Sequence, residues 1–123
     1  MIKGIGIDLI EVNRIKKAME KKGFLERYFT EKEIIMFKEH NMNPQKVAGN
    51  FATKEAIVKM FGTGFRTVRL TDIEVLRDNF GKPTVRLEHR AMDLSSRLMI
   101  DYIFVSISNT DSHVTAVAIG EHV

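Results

Sequence analysis

The chain has no cysteine, only two prolines and no apolar run long enough to span a membrane. Without cysteine there is no disulfide framework, no thiolate metal site and no cysteine nucleophile. A membrane span needs about 20 consecutive apolar residues, and no signal-peptide pattern opens the chain, so the cytoplasm is the expected location. Charge of one sign is also scarce: nineteen basic residues face sixteen acidic ones, a net +3. The excess is local, because Arg14, Lys16, Lys17, Lys21, Lys22 and Arg27 crowd one early segment. Such a run is ordinarily a solvated helix face, but on a nearly balanced protein it also steers an acidic partner, either nucleic acid or an acidic protein. With 123 residues and no linker, repeat or low-complexity tract, residues 1–123 read as a single domain.

What is present is organised around FATKEAIVKMFGTG, Phe51–Gly64. At 100° per residue, Val47, Phe51, Ile57, Val58 and Phe61 form a broad apolar stripe, with Glu55 and Lys59 together at its edge beside Ala48 and Ala52. The small alanines are expected to leave both charges uncovered. A Glu four residues before a Lys is ordinarily a solvent-facing pair worth only about a few tenths of a kcal/mol. Two features weigh against that reading. Lys54 falls inside the apolar stripe, which is costly unless its ammonium is paired or reaches water. The helix also runs into Gly62-Thr63-Gly64, where glycine supplies a left-handed stop and lets a backbone or ligand come close.

Around this helix the other segments fall into order. Met1–Ile10 alternates as a strand, with Ile5, Ile7 and Leu9 on one face and Gly4, Gly6 and Asp8 on the other. Asp8, ending an apolar strand, is either a cap for the next helix or a ligand for a hard cation such as Mg²⁺. Glu11 to Lys22 has helical spacing and stops at Gly23. Thr30-Glu31-Lys32-Glu33 is a capping-box sequence opening the next helix, and Pro44 suits the first turn of the helix that follows. Thr71–Asp78 and Thr84–Leu87 read as strands around the turn Asn79–Pro83, Glu88–Met99 as a weak helix, and Tyr102–Ser108 and Val114–Ile119 as closing strands. The sum is an α+β domain with an antiparallel sheet and packed helices.

Three segments together carry a family likeness: GIGIDLIEVNRI at Gly4–Ile15, FATKEAIVKMFGTG at Phe51–Gly64, and DIEV with GKP within Asp72–Pro83. In these the chain resembles the holo-[acyl-carrier-protein] synthases, the small type of 4′-phosphopantetheinyl transferase. The resemblance implies transfer of the phosphopantetheine arm of coenzyme A to a serine of apo acyl carrier protein, releasing adenosine 3′,5′-bisphosphate and serving fatty acid biosynthesis. It implies Mg²⁺ held by Asp8 and Glu55, with Lys59 reaching the diphosphate. Gly62, Gly64, Pro83 and Ser108 would join Lys59 around coenzyme A. The serine proton would pass to Glu55 or to a Mg²⁺-bound water. Arg14, and with it Lys17 and Lys21, would receive the acidic carrier protein. The resemblance further implies a homotrimer with active sites between subunits, and no membrane or nucleic-acid partner.

The chain departs from many relatives at two positions, where Asn50 replaces an arginine and Ser108-Asn109 replaces Ser-His. Both lie where the nucleotide end is expected. The competing class is a non-catalytic module that binds carrier protein or nucleic acid through the basic helix. Against nucleic acid, the basic segment has no interleaved aromatics and no recognition motif. His113 shares a polar loop with Asn109, and none of the histidines has metal-ligand spacing.

Overall fold

A computed structural model describes residues 1–62 and 68–123. In chain order the elements are β1 (Ile2–Glu11), α1 (Val12–Met19), α2 (Phe24–Tyr28), α3 (Glu31–Glu39), α4 (Pro44–Phe61), a 3₁₀ turn (Leu70–Asp72), β2 (Ile73–Arg77), β3 (Pro83–Leu87), α5 (His89–Arg97), β4 (Tyr102–Asn109) and β5 (His113–Glu121). The α+β expectation holds, but the strands form two antiparallel sheets rather than one, ordered β1-β5-β4 and β2-β3. β3 touches β4 without joining its ladder. The first and last strands of the chain pair along their length, with Ile5 opposite Ile119 and Asp8 opposite Ala116.

Local chemistry sets the helix ends. Thr30 Oγ1 accepts from Glu33 N at 3.2 Å while Thr30 N donates to Glu33 Oε1 at 2.9 Å, the capping box expected for α3. Asn43 caps α4 by accepting from Gln45 N at 2.9 Å, Pro44 occupies the first turn, and Gly62 closes the helix at φ 80°. Gly23, at φ 85°, precedes α2, a five-residue helix too short to show periodicity in the sequence.

Helix α4 is the core of the molecule, packed on β1 and β5 from one side and on α1 and β2 from others. It is therefore buried around most of its circumference, not along one stripe. Val47, Ile57, Val58 and Phe61 of the expected stripe are buried, Phe51 is only half-buried, and Ala48, Ala52 and Ala56 are fully buried as well. The alanines let α4 settle onto the sheet. On the strand side Gly4 and Gly6 do the same: a Cβ at Gly6 would fall inside the radius of Ala56 O, and one at Gly4 inside that of Met60 O. Lys54 is buried at 0% exposure and paired with Glu33, also at 0%. Its Nζ donates as well to Tyr28 O at 2.8 Å and Leu70 O at 3.0 Å. Among the described residues, no helix is long and apolar enough to cross a membrane.

Candidate active site

The two-residue period of β1 turns Asp8 inward against α4, and the helical period places Glu55 and Lys59 on the side of α4 facing that strand. The expected pairing within the helix does not form. Lys59 instead crosses to β1, where its Nζ donates to Asp8 Oδ1 at 3.0 Å and to Ile7 O at 3.1 Å. Its side chain is 57% exposed, against 9% for Asp8, so the ammonium caps the carboxylate from the solvent side. Thr115 Oγ1 donates to Asp8 O at 2.8 Å and fixes the strand there.

Asp8 and Glu55 open into one cavity of about 370 Å³, walled by Arg14 and Ile15 of α1, Tyr28 of α2 and Phe51 of α4. Burial pushes the Glu55 carboxyl up to about 7, helped by a hydrogen bond to Asp8 and by the charge of Asp8, while Lys59 and Arg14 pull it back. Asp8 Oδ2 is buried and has no donor among the described residues. A proton on Glu55 would supply that donor. A divalent cation placed there would satisfy both carboxylates at once. Among the described residues no group of three or more His, Cys, Asp or Glu could hold a metal ion. Two carboxylates are nonetheless enough for Mg²⁺, which commonly completes its shell with water and substrate phosphate.

The other expected site residues do not gather at this cavity within one chain. Gly62 lies at the end of α4, and Gly64 lies outside the described residues. Pro83 borders a separate cleft with Gly49 and Asn109, and Ser108 lines a small cavity with Leu9 and Thr115. Arg14 joins the carboxylates, whereas Lys21 edges another pocket with Lys22 and Arg27, and Lys17 is exposed beside neither. Sequence reasoning missed Tyr28 as a wall of the carboxylate cavity, since α2 carried no signal. His113 is taken up in its own loop, its Nδ1 2.8 Å from Ser112 Oγ.

A strand carboxylate and a helix carboxylate held together by glycine-to-helix packing, on a small α+β domain, define a class. Residues 4–118 match the 4′-phosphopantetheinyl transferase superfamily, to which the chain belongs. Within it the chain stands with the holo-[acyl-carrier-protein] synthases. It is 50% identical to the holo-[acyl-carrier-protein] synthase of Lachnoclostridium phytofermentans, covering 98% of this chain and 97% of that one. The fold matches the Neisseria meningitidis holo-[acyl-carrier-protein] synthase with a TM-score of 0.90 at 29% identity, covering 98% and 99% of the two chains. It also matches the Bacillus anthracis holo-(acyl-carrier-protein) synthase in complex with CoA (3′,5′-ADP), with a TM-score of 0.84 at 36% identity over 100% and 99%.

Proposed function

We infer that this protein transfers the 4′-phosphopantetheine group of coenzyme A to a serine of an apo acyl carrier protein, releasing adenosine 3′,5′-bisphosphate. The observation that carries this reading is the convergence of Asp8, Glu55 and Lys59 at one cavity, on a chain alike to holo-[acyl-carrier-protein] synthases over its whole length. Asp8 and Glu55 would hold Mg²⁺. When bound, the cation would neutralise the diphosphate of coenzyme A. Lys59, largely in solvent, is free to leave Asp8 for a diphosphate oxygen. Glu55 lines the same cavity and is one group placed to accept the serine proton, a water held there being the other.

The carrier protein docks on the basic segment, with Arg14 at the rim of the carboxylate cavity and Lys17 and Lys21 further along. Complementarity of this kind sets on-rate and specificity more than affinity. Its natural context is fatty acid biosynthesis in the cytoplasm.

The separation of Gly62, Pro83 and Ser108 from one another fits a site completed by a second copy. One face of the three-stranded sheet is apolar and uncovered: Ile5, Ile7 and Leu9 are 66%, 64% and 68% exposed, and Phe104 is 52% exposed on the far strand. Val117 and Ile119 lie between them in register. A contiguous apolar face of this kind marks an interface, and a homotrimer built on it would bring the neighbour's residues to the carboxylate cavity.

The test is turnover of coenzyme A to adenosine 3′,5′-bisphosphate, followed by chromatography, with and without apo carrier protein. Release that depends on the carrier protein and stops with a chelator is expected; carrier-independent release would reject the reading. A binding module without chemistry is disfavoured, because it gives no reason for two acids to be held in contact.

A further inference from the structure

Helix α2 walls the carboxylate cavity through Phe24 and Tyr28, yet its own sequence does not hold it there. It has five residues, none of them buried, and a helix of that length is not stable by itself. Its last turn also leaves carbonyls that need donors from elsewhere. The same short helix borders a neighbouring cleft of about 350 Å³ with Lys21 and Lys22, to which it brings Arg27. The most weakly rooted helix of the molecule therefore stands between the carboxylates and the basic face.

The missing donor comes from α4. Lys54 Nζ reaches Tyr28 O at 2.8 Å and Leu70 O at 3.0 Å, and it pairs with Glu33. An ammonium has three N–H donors, and these three acceptors belong to three elements: α2, the 3₁₀ turn and α3. The Phe29 ring, one residue past α2, has its centroid 4.8 Å from the same nitrogen, within cation–π range. Phe24 and Tyr28 complete the joint by meeting Phe51 of α4, with ring centroids 6.2 and 5.7 Å away. The two helices differ in what else secures them. α4 is packed on β1 and β5 and buried around most of its circumference, whereas α2 buries no residue. Loss of the tether therefore moves α2 and leaves α4, with Glu55, in place.

Resting on the transferase function above, we propose that Lys54 is a positioning residue for the carrier-protein substrate: by holding Tyr28 O it fixes α2, and with it Phe24, Arg27 and Tyr28, beside the carboxylate cavity. Neighbours in the chain thus divide the work. Glu55 faces the cavity, and Lys54, about 100° round the helix, ties down its wall. The Arg27 guanidinium lies 5.4 Å from the centroid of the Tyr28 ring, so the tether also sets where that cation stands. A surface already in place does not spend binding energy on being ordered when its partner arrives.

The experiment compares Lys54→Met with Glu33→Gln, which attack one ion pair from its two ends, by steady-state turnover well below the Tm of each. Lys54→Met removes the donor to Tyr28 O. Glu33→Gln leaves that donor, and its new amide can turn to Asn50, whose Oδ1 has no donor among the described residues. A pair with a purely structural role would leave every KM near wild type in both variants. The tether predicts that Lys54→Met raises KM for apo carrier protein about tenfold, the loss of one charge-assisted hydrogen bond. KM for coenzyme A should stay within about twofold, and so should both KM values in Glu33→Gln. Hydrogen exchange over residues 24–29 should rise in Lys54→Met ahead of α4 and β5. Should Lys54→Met fail to fold, the double variant with Glu33→Gln, which leaves no buried charge unpaired, carries the same comparison. An unchanged carrier-protein KM in Lys54→Met, or an equal rise in Glu33→Gln, would overturn the proposal. If the wild-type protein modifies no carrier protein, the transferase falls and exchange decides the tether: a rise confined to 24–29 keeps it, and a uniform rise removes it. A working transferase with uniform exchange and unchanged KM values keeps the transferase and loses the tether.

Discussion

Replacing Lys54 with methionine preserves volume and removes one charge from the most buried ion pair of the molecule. Lys54 and Glu33 are both at 0% exposure. Burial pushes the Glu33 carboxyl up and the Lys54 ammonium down, and each holds the other's charge in place. Every partner of the Glu33 oxygens is a donor: Lys54, Thr30 N, Asn50 Nδ2 at 2.9 Å and Val75 N at 3.3 Å. A protonated Glu33 would lose one of these, so the network accepts the carboxylate. Lys54→Met leaves that carboxylate buried without a counter-charge and strips a donor from Tyr28 O and Leu70 O. Breaking a buried pair from one side costs about 3–5 kcal/mol, which for a chain of this size lowers Tm by about 10–20 °C. Urea unfolding at fixed protomer concentration measures it, because assembly adds a mass-action term to stability. In the cycle with Glu33→Gln, the double variant should be more stable than the two single losses sum to, by about 1–3 kcal/mol. A single loss below about 1 kcal/mol, or strictly additive losses, would refute this account of the pair.

Three further outcomes follow from the geometry. Gly6→Ala drives a Cβ into Ala56 O and to 2.6 Å from Met60 N; overpacking should cost about 1–3 kcal/mol, and lifting α4 from β1 should weaken Mg²⁺ binding by calorimetry, so full retention of both would contradict the close approach. The Glu55 carboxyl is raised from 4.5 to about 7, so the metal-free native state keeps a proton that the unfolded chain has released. Stability from this group is therefore highest in acid, declines as pH rises from about 4.5 to 7 and then levels. Mg²⁺ should raise Tm more at pH 7.5 than at pH 5.5; the same gain at both would remove Glu55 from the cation site. Ile7→Glu, on the uncovered sheet face, should shift sedimentation from an oligomer to a monomer and abolish turnover, and an active monomer would rule out sites shared between subunits.

The sequence patterns that survived folding are those whose meaning is local. The capping box at Thr30, the proline and glycine bounding α4, and the two-residue period of β1 each needed only neighbours within a turn or a strand. The same period showed that Gly4, Gly6 and Asp8 share a face, but not that this face is the buried one. That follows from α4 resting on the glycines, which leaves Ile5, Ile7 and Leu9 outside. Lys54 was legible as a misfit, while its partner was not, because Glu33 lies on another helix and the match is made by packing. The same holds for Lys59, which spacing pairs with Glu55 and the fold pairs with Asp8. Asn50 was legible as a departure from the arginine of relatives, but its partners, Glu33 on α3 and Val75 O on β2, were not, because packing brings them together. Helix α2 escaped because five residues show no period.

The most direct measurement is the intact mass of an apo acyl carrier protein after incubation with this protein, coenzyme A and Mg²⁺, beside a chelated control and Glu55→Gln. The account predicts a gain of one phosphopantetheine that requires both the cation and Glu55. No gain from a folded wild-type sample with several carrier proteins, or a gain untouched by Glu55→Gln, would contradict it.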